Sequence, residues 1–138
     1  MKEWAFYSAL ALLAWGLWAF LPKVALGFLD PKTAFMFEVI GGAITGVLAI
    51  LVLRPQLAAV DVRGIVPAFL TGTFGYVGIL CFMYAIREGK ICVVTPLTAL
   101  YPVITVALAT IFLKEKINAV QFAGIILALI SVVLISYE

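Results

Sequence analysis

The sequence predicts an all-α integral membrane protein with five transmembrane helices joined by short loops. Of its 138 residues, 66% are hydrophobic and only 12% are charged, whereas a soluble domain is roughly half apolar and about a quarter charged. The mean hydropathy is +1.24. Five apolar stretches are each long enough to cross a bilayer, which takes about 20 residues of helix. We expect helices because lipid offers the backbone no hydrogen bonds and the alternation typical of barrel strands is absent.

The five predicted helices have short connections, so no soluble domain is expected between them. The first follows Lys2 and is longer than the apolar core of a secretory signal, and no small-x-small cleavage site follows it. We therefore predict that it is retained. Asn118 is the expected N-cap of the fifth helix. Residues 1–138 are predicted to form a single transmembrane domain, with helices at about 4–28, 33–53, 65–86, 91–113 and 118–136.

Basic residues are divided almost evenly between the two sides of the predicted bundle. Because Lys and Arg in short loops set orientation, this balance favours a cytoplasmic N-terminus only weakly, or permits both orientations. Two copies in opposite orientations would be related as inverted repeats, the architecture of many secondary transporters. We predict an inverted, antiparallel homodimer of ten helices with dual topology, and a protein of one orientation is the alternative. One side carries Lys2, Arg54, Arg63, Lys114 and Lys116, and the other carries Lys23, Lys32, Arg87 and Lys90.

Composition argues against several other classes of function. The net charge of +2 and the lack of a run of like charges argue against a nucleic-acid partner. The chain has no His, no carboxylate pair and no P-loop, so neither an enzyme nor an ATP-driven pump is expected. Cys81 and Cys92 lie inside apolar segments and are interpreted as small buried hydrophobes. We predict no metal site and no cofactor.

Glu38 is the candidate acidic residue at membrane depth. An acid in an apolar span costs about 2.5 kcal/mol or more at the helix centre, which makes Glu38 a functional candidate. Lys23 and Glu38 are each seven to eight residues from the turn at Asp30-Pro31, so they reach similar depth in an antiparallel hairpin. Two interpretations are open. Lys23 and Glu38 form an ion pair that makes both charges tolerable, or they face a wet cavity and separate when substrate or a proton binds.

Aromatic and hydroxyl side chains at membrane depth indicate a cavity for a solute. Trp15 and Trp18 lie mid-span, where they either stack on an apolar or cationic solute or pack in the core. Tyr76 offers a phenol that either contacts substrate or packs against other rings. Threonines of the fourth helix either line the cavity or bond back to carbonyls of their own helix. The predicted cavity is lined by Trp15, Trp18, Glu38, Thr45, Tyr76, Thr98 and Thr105.

Prolines and small residues are expected to shape the helices. A proline within a span leaves a backbone carbonyl without its donor and kinks the helix, which is predicted at Pro22, Pro96 and Pro102. Small residues at helical spacing let another helix approach closely. The positions interpreted as helix packing or a dimer seam are Gly42, Gly46, Gly75, Gly78, Gly124, Ala128 and Ser131.

The chain carries three recognisable segments, Leu12–Leu26, Val94–Asn118 and Gln121–Tyr137. They resemble the EamA-like domain of the drug/metabolite transporter superfamily. The proline-containing fourth helix followed by a Leu-Lys-Glu-Lys turn is the most specific part. The resemblance covers the full length and implies a transporter. Most such proteins join two of these domains with the halves inverted, so one domain is expected to pair with a second copy, as small multidrug-resistance proteins pair antiparallel.

By this analogy the first four helices line the substrate path and the last aids association. The first helix here lacks the acidic residue of the small multidrug-resistance pattern, so that family's proton coupling is not carried over to Glu38. The predicted function is a secondary transporter that moves a small organic solute across the cell membrane (inner or plasma) by alternating access. Its partners are the bilayer, a second copy of itself and the solute. The alternative is a non-transporting membrane subunit of a heteromeric transporter or of a lipid-linked-sugar flippase.

Overall fold

The structure, a computed structural model, consists of helices joined by short turns and loops in the part of the chain that it describes. That part comprises residues 3–54 and 60–137. No strand occurs within these residues, which confirms the predicted all-α fold. Lys2, one of the basic residues used to compare the two sides, lies outside them. The helices are α1 Glu3–Ala25, α2 Pro31–Leu53, α3 Val62–Glu88, α4 Ile91–Thr98, α5 Tyr101–Leu108, a π-helix Ala109–Leu113 and α6 Ala119–Ser136.

Within the described residues, four helical runs are long and apolar enough to cross a membrane. They are α1, α2, α3 and the run Ile91–Leu113, which contains α4, α5 and the π-helix. The fifth apolar helix, α6, is shorter. Large hydrophobic side chains are exposed along all of these helices. Apolar surface of this extent is unfavourable in water and favourable in lipid, so the chain is a multi-pass integral membrane protein.

Asp30 and Pro31 set the turn between α1 and α2. Asp30 Oδ1 accepts hydrogen bonds from the backbone N–H groups of Lys32 at 2.9 Å and Thr33 at 3.2 Å, and the Thr33 hydroxyl donates to Oδ2 at 2.5 Å. These bonds, the Thr33 hydroxyl first, lower the pKa of Asp30 from its ordinary value of 3.8. Pro31 suits the first helical position because no N–H is needed there. α2 thus begins before the predicted start at residue 33, and α1 ends at Ala25, short of residue 28.

The fourth span is interrupted next to Pro102. Ala99 and Leu100 form a turn between α4 and α5, and Pro102 lies in the first turn of α5. Pro102 has no N–H to donate to the carbonyl four residues earlier, and its ring disfavours helical geometry at the preceding residue. Val103 instead donates its N–H to the Leu100 carbonyl at 2.9 Å. The single helix predicted at 91–113 is therefore two helices with a π-helical end.

α6 begins at its predicted N-cap. The Asn118 side chain accepts from the Gln121 N–H at 2.8 Å, and the Gln121 side chain accepts from the Asn118 N–H at 2.9 Å. This reciprocal capping box satisfies two backbone donors that the helix start leaves open. The prediction for Asn118 is confirmed.

The chain divides into two compact units, Met1–Arg87 and Glu88–Glu138. In the second unit α4 packs on α6, and Val132 of α6 is buried. In the first unit the buried side chains lie where α1 ends, α2 begins and α3 ends, which we call the packed end. The buried residues there are Pro22, Pro31, Ala34, Phe82, Met83 and Ile86.

Candidate functional site

Trp18, Glu38 and Phe82 meet at the packed end, one residue from each of its three helices. The indole Nε1 of Trp18 donates a hydrogen bond to Oε1 of Glu38 at 2.6 Å. The Trp18 ring also stacks on Phe82, with centroids 5.7 Å apart and planes at 23°. Trp18 therefore links the carboxylate of α2 to the aromatic ring of α3, and both contacts fix its orientation.

The other carboxylate oxygen of Glu38, Oε2, is buried and has no hydrogen-bond partner among the described residues. A carboxylate accepts up to about four hydrogen bonds, and the Trp18 indole supplies one to Glu38. A buried polar atom without a partner costs roughly 1–3 kcal/mol, and more when it is charged. The site thus lacks a donor, and a bound group that supplied one would be stabilised there.

A pocket of about 250 Å³ lies beside this carboxylate. Its lining side chains are apolar apart from Glu38, and the N–H of the Trp18 ring is bonded to that carboxylate. Pockets for drug-sized ligands span about 300–1,000 Å³, so this one suits a smaller solute. The pocket is lined by Trp18, Leu21, Pro22, Ala25, Leu29, Ala34, Phe37, Glu38 and Met83.

Lys23 contacts the end of α3. Its ammonium donates to the backbone carbonyl of Ile86 at 2.5 Å, and Ile86 is fully buried. A cation at a helix C-terminus is stabilised by the partial negative charge of the last carbonyls. These hydrogen bonds give Lys23 and Glu38 different partners, Ile86 and Trp18. The Lys23–Glu38 ion pair stays a prediction.

The contacts of Trp18 and Lys23 show that α1 and α3 run parallel. Lys23 follows Trp18 by five residues on α1, and Ile86 follows Phe82 by four on α3. Both pairs are in contact, so the two helices advance in the same direction past each other. The first and third spans of a membrane bundle cross in the same direction, which agrees with this arrangement.

Tyr76 of α3 packs against α2 at Gly42. A Cβ added to Gly42 would lie 2.7 Å from the Tyr76 hydroxyl oxygen, which is closer than real Cβ contacts. The Tyr76 ring also meets Phe35 edge to face, with centroids 6.2 Å apart. An alanine at position 42 would therefore require the Tyr76 hydroxyl to shift, and the assignment of Gly42 to helix packing stays a prediction.

The other predicted lining residues, Trp15 and three threonines, have no described contact with the packed end. Trp15 is 60% exposed on α1. The hydroxyls of the three threonines donate to carbonyls of their own helices, Thr45 to Gly41 at 2.9 Å, Thr98 to Val94 at 2.9 Å and Thr105 to Tyr101 at 3.3 Å. For Thr98 and Thr105 such back-bonding is the alternative that the sequence left open, and in all three threonines it leaves the hydroxyl oxygen able to accept.

The remaining small residues face open space or a groove. A Cβ at Gly46, Gly75, Gly78 or Gly124 would meet nothing within 4 Å. In the second unit, a groove of about 420 Å³ is lined by residues of α5, the π-helix and α6, among them Gly124 and Ala128, and Ser131 is exposed. Their assignment to packing or a dimer seam stays a prediction.

Two parts of the site were missed from the sequence. Phe82 carries the stacking contact to Trp18, and its signal was an aromatic residue on the same helical face as Gly75 and Gly78. The carbonyl of Ile86 accepts from Lys23. Every residue has a backbone carbonyl whatever its side chain, so no pattern in the sequence could have identified this acceptor.

The long apolar helices and the carboxylate held among them define a multi-pass membrane protein with a polar site at the packed end. The chain belongs to the EamA-like transporter family, whose model matches residues 2–137. The family is one of membrane transporters.

The chain is also similar to an uncharacterized protein of Methanocaldococcus jannaschii. The two are 35% identical over 89 residues, which are 64% of this chain and 65% of that protein. The match thus spans less than two thirds of the relative's length. No solved structure matches the chain.

Proposed function

We propose that this protein is a secondary transporter that moves a small organic solute across the cell membrane by alternating access, as an antiparallel homodimer. The observation that carries the proposal is the Glu38 carboxylate, which lies within an apolar span with one oxygen bonded to Trp18 and the other without a partner. Ionisable residues inside spans are costly and mark substrate or ion pathways. Membership of the EamA-like transporter family supports the same conclusion.

The proposed solute site is the pocket at the packed end. Trp18 and Phe37 give it aromatic surface, and Glu38 gives it one polar group for orientation. A few polar groups in a mostly apolar wall are typical of small-molecule sites. Tyr76, which contacts α2 one helical turn from Glu38, would extend the site if the helices separate. Thr45, Thr98, Thr105 and Trp15 belong to the wider proposed path.

The proposed second copy follows from the loop charges. Basic residues are almost balanced between the two sides, so both orientations are permitted. Two inverted copies would carry the same pocket near opposite membrane surfaces, and rocking about their interface would expose each in turn. No ATP site is part of this proposal, so any coupling would use an ion gradient.

Reconstitution into liposomes tests the proposal. Purified chain should exchange an internal solute for a labelled external one, and Glu38→Gln should abolish exchange while Glu115→Gln leaves it intact. Cysteine pairs placed across the two copies should crosslink only in the antiparallel register. A chain that moves no solute alone, but does so with a second protein, would instead support the non-transporting subunit.

A further inference from the structure

We infer that the pocket beside Glu38 binds a protonated amine that carries at least one N–H and a small apolar or aromatic body. The inference rests on the proposed function, because the amine would be the transported solute. Three properties of the pocket indicate this class of ligand: the unpartnered oxygen, the apolar wall and the volume.

The unpartnered oxygen requires a donor. Oε2 of Glu38 is buried without a hydrogen bond, whereas Oε1 accepts from Trp18 at 2.6 Å. Glu38 lines the pocket while Oε2 itself is covered, so a ligand donor reaches this oxygen after a change of the Glu38 side-chain rotamer that brings the carboxylate to the pocket surface. A ligand N–H would then complete the hydrogen bonding of the carboxylate.

The charge of the carboxylate favours a cationic donor over a neutral one. A hydrogen bond between an ammonium and a carboxylate is roughly twice as strong as a neutral bond. The Lys23 ammonium does not bond to Oε2, and its described hydrogen bond goes to the Ile86 carbonyl. Trp18 and Phe37 in the wall add aromatic surface, over whose faces a cation is attracted.

The volume and the geometry of the donor restrict the ligand further. About 250 Å³ accommodates one ring with a short side chain rather than a drug-sized molecule. A quaternary ammonium ion has the charge but lacks an N–H, so it leaves the oxygen without a bond. The pocket should therefore discriminate between an amine and its fully methylated form.

Calorimetric titration of the full chain in lipid nanodiscs tests the inference with four ligands of matched body. They are 2-phenylethylamine, its N,N-dimethyl and N,N,N-trimethyl derivatives, and 2-phenylethanol. The two amines with an N–H should bind at least about tenfold more tightly than the trimethyl ion and the alcohol. The step from dimethyl to trimethyl adds one methyl group and removes the donor, so the loss should occur there. Gradual weakening with each methyl group, or equal binding of all four, would overturn the inference.

Variants provide a second test. Glu38→Gln should remove the preference for amines, whereas Glu115→Gln, which alters a carboxylate in the second unit, should retain it. Retention of the preference in Glu38→Gln would overturn the inference. If that variant does not fold, the four ligands on the native chain still decide the matter.

A flux measurement separates this inference from the proposed function. Liposomes that hold the native chain are loaded with 2-phenylethylamine, and exchange with labelled amine is followed. Amine binding without exchange would overturn transport and leave the binding site standing. Exchange of another solute, with no amine binding, would overturn the amine site and leave transport standing.

Discussion

The indole of Trp18 and the carboxylate of Glu38 are joined by a 2.6 Å hydrogen bond between α1 and α2. The bond connects two residues twenty positions apart on helices that the Asp30-Pro31 turn folds back on each other. The bond gives the Glu38 carboxylate, whose burial in an apolar span is unfavourable, one hydrogen-bond partner. The stack of Trp18 on Phe82 holds the donor in place. The stability and the solute chemistry of this unit therefore depend on the same side chains.

Trp18→Phe should destabilise the protein by about 1–3 kcal/mol, because it keeps an aromatic ring against Phe82 and leaves Oε1 of Glu38 without its donor. The measurement is the free energy of unfolding in mixed micelles. Trp15→Phe is the matched control, since Trp15 is 60% exposed on the same helix. Its effect should be near zero.

A double-mutant cycle would assign the effect to this bond. In a Glu38→Leu background, Trp18→Phe should cost much less, because the carboxylate that needed the donor has gone. Equal costs in the two backgrounds would show that the indole stabilises the unit by packing rather than by its N–H.

Gly42→Ala should destabilise the packing of α2 on α3 by about 1 kcal/mol, the low end of the cost of overpacking, because the Tyr76 hydroxyl is the end of a partly exposed side chain that can shift. The added Cβ would lie 2.7 Å from the Tyr76 hydroxyl oxygen and 3.8 Å from the ring carbon that bears it. Tyr76→Phe removes that oxygen and should restore most of the stability of the Gly42→Ala variant.

Gly46→Ala is the control for this prediction. A Cβ at position 46 meets nothing within 4 Å, so the change should be neutral or slightly stabilising through helix propensity. Thermal unfolding in one detergent would compare Gly42→Ala, Tyr76→Phe, the double variant that carries both changes, and Gly46→Ala. A failure of Tyr76→Phe to rescue Gly42→Ala would contradict the contact.

Some of this arrangement could be predicted from the sequence and some could not. Hydropathy and an acid within a span identified the helices and Glu38. Of the three predicted kinks, Pro102 lies beside the turn that divides the fourth span, whereas Pro22 and Pro96 lie inside α1 and α4. Trp18 as the donor to Glu38 could not be predicted, because the register of two helices depends on their packing rather than on residue type. Charge alone suggested Lys23 for that role, whereas the structure also offers Lys23 a carbonyl at the end of α3.

Lys23→Met should weaken the attachment of α3 to α1. Methionine keeps an unbranched apolar stem but cannot donate to the Ile86 carbonyl, so we expect a loss of about 1–3 kcal/mol. Amide hydrogen exchange should rise in the last two turns of α3 and remain unchanged in α6. Lys32→Met, at an exposed site in the first turn of α2, should change neither measurement. Faster exchange across the whole protein would argue against a local contact.

Asp30→Asn should remove part of the acid sensitivity of the first unit while preserving the helix start. The hydrogen bonds from Thr33 and Lys32 hold the pKa of Asp30 below its ordinary value of 3.8 in the folded protein. A carboxyl group whose pKa is lowered by folding stabilises the folded state above its unfolded pKa, and that stabilisation is lost as the pH falls through the folded pKa. The native chain should therefore lose stability below pH 3.8, and part of that loss should be missing in Asp30→Asn. Asparagine is also a good N-cap, so stability at neutral pH should change little.

Unfolding followed by circular dichroism from pH 6 to pH 2 makes the comparison, with Asp30→Ala as the variant that loses the cap at every pH. Parallel acid profiles for the native chain and Asp30→Asn would show that other carboxyl groups account for the pH dependence.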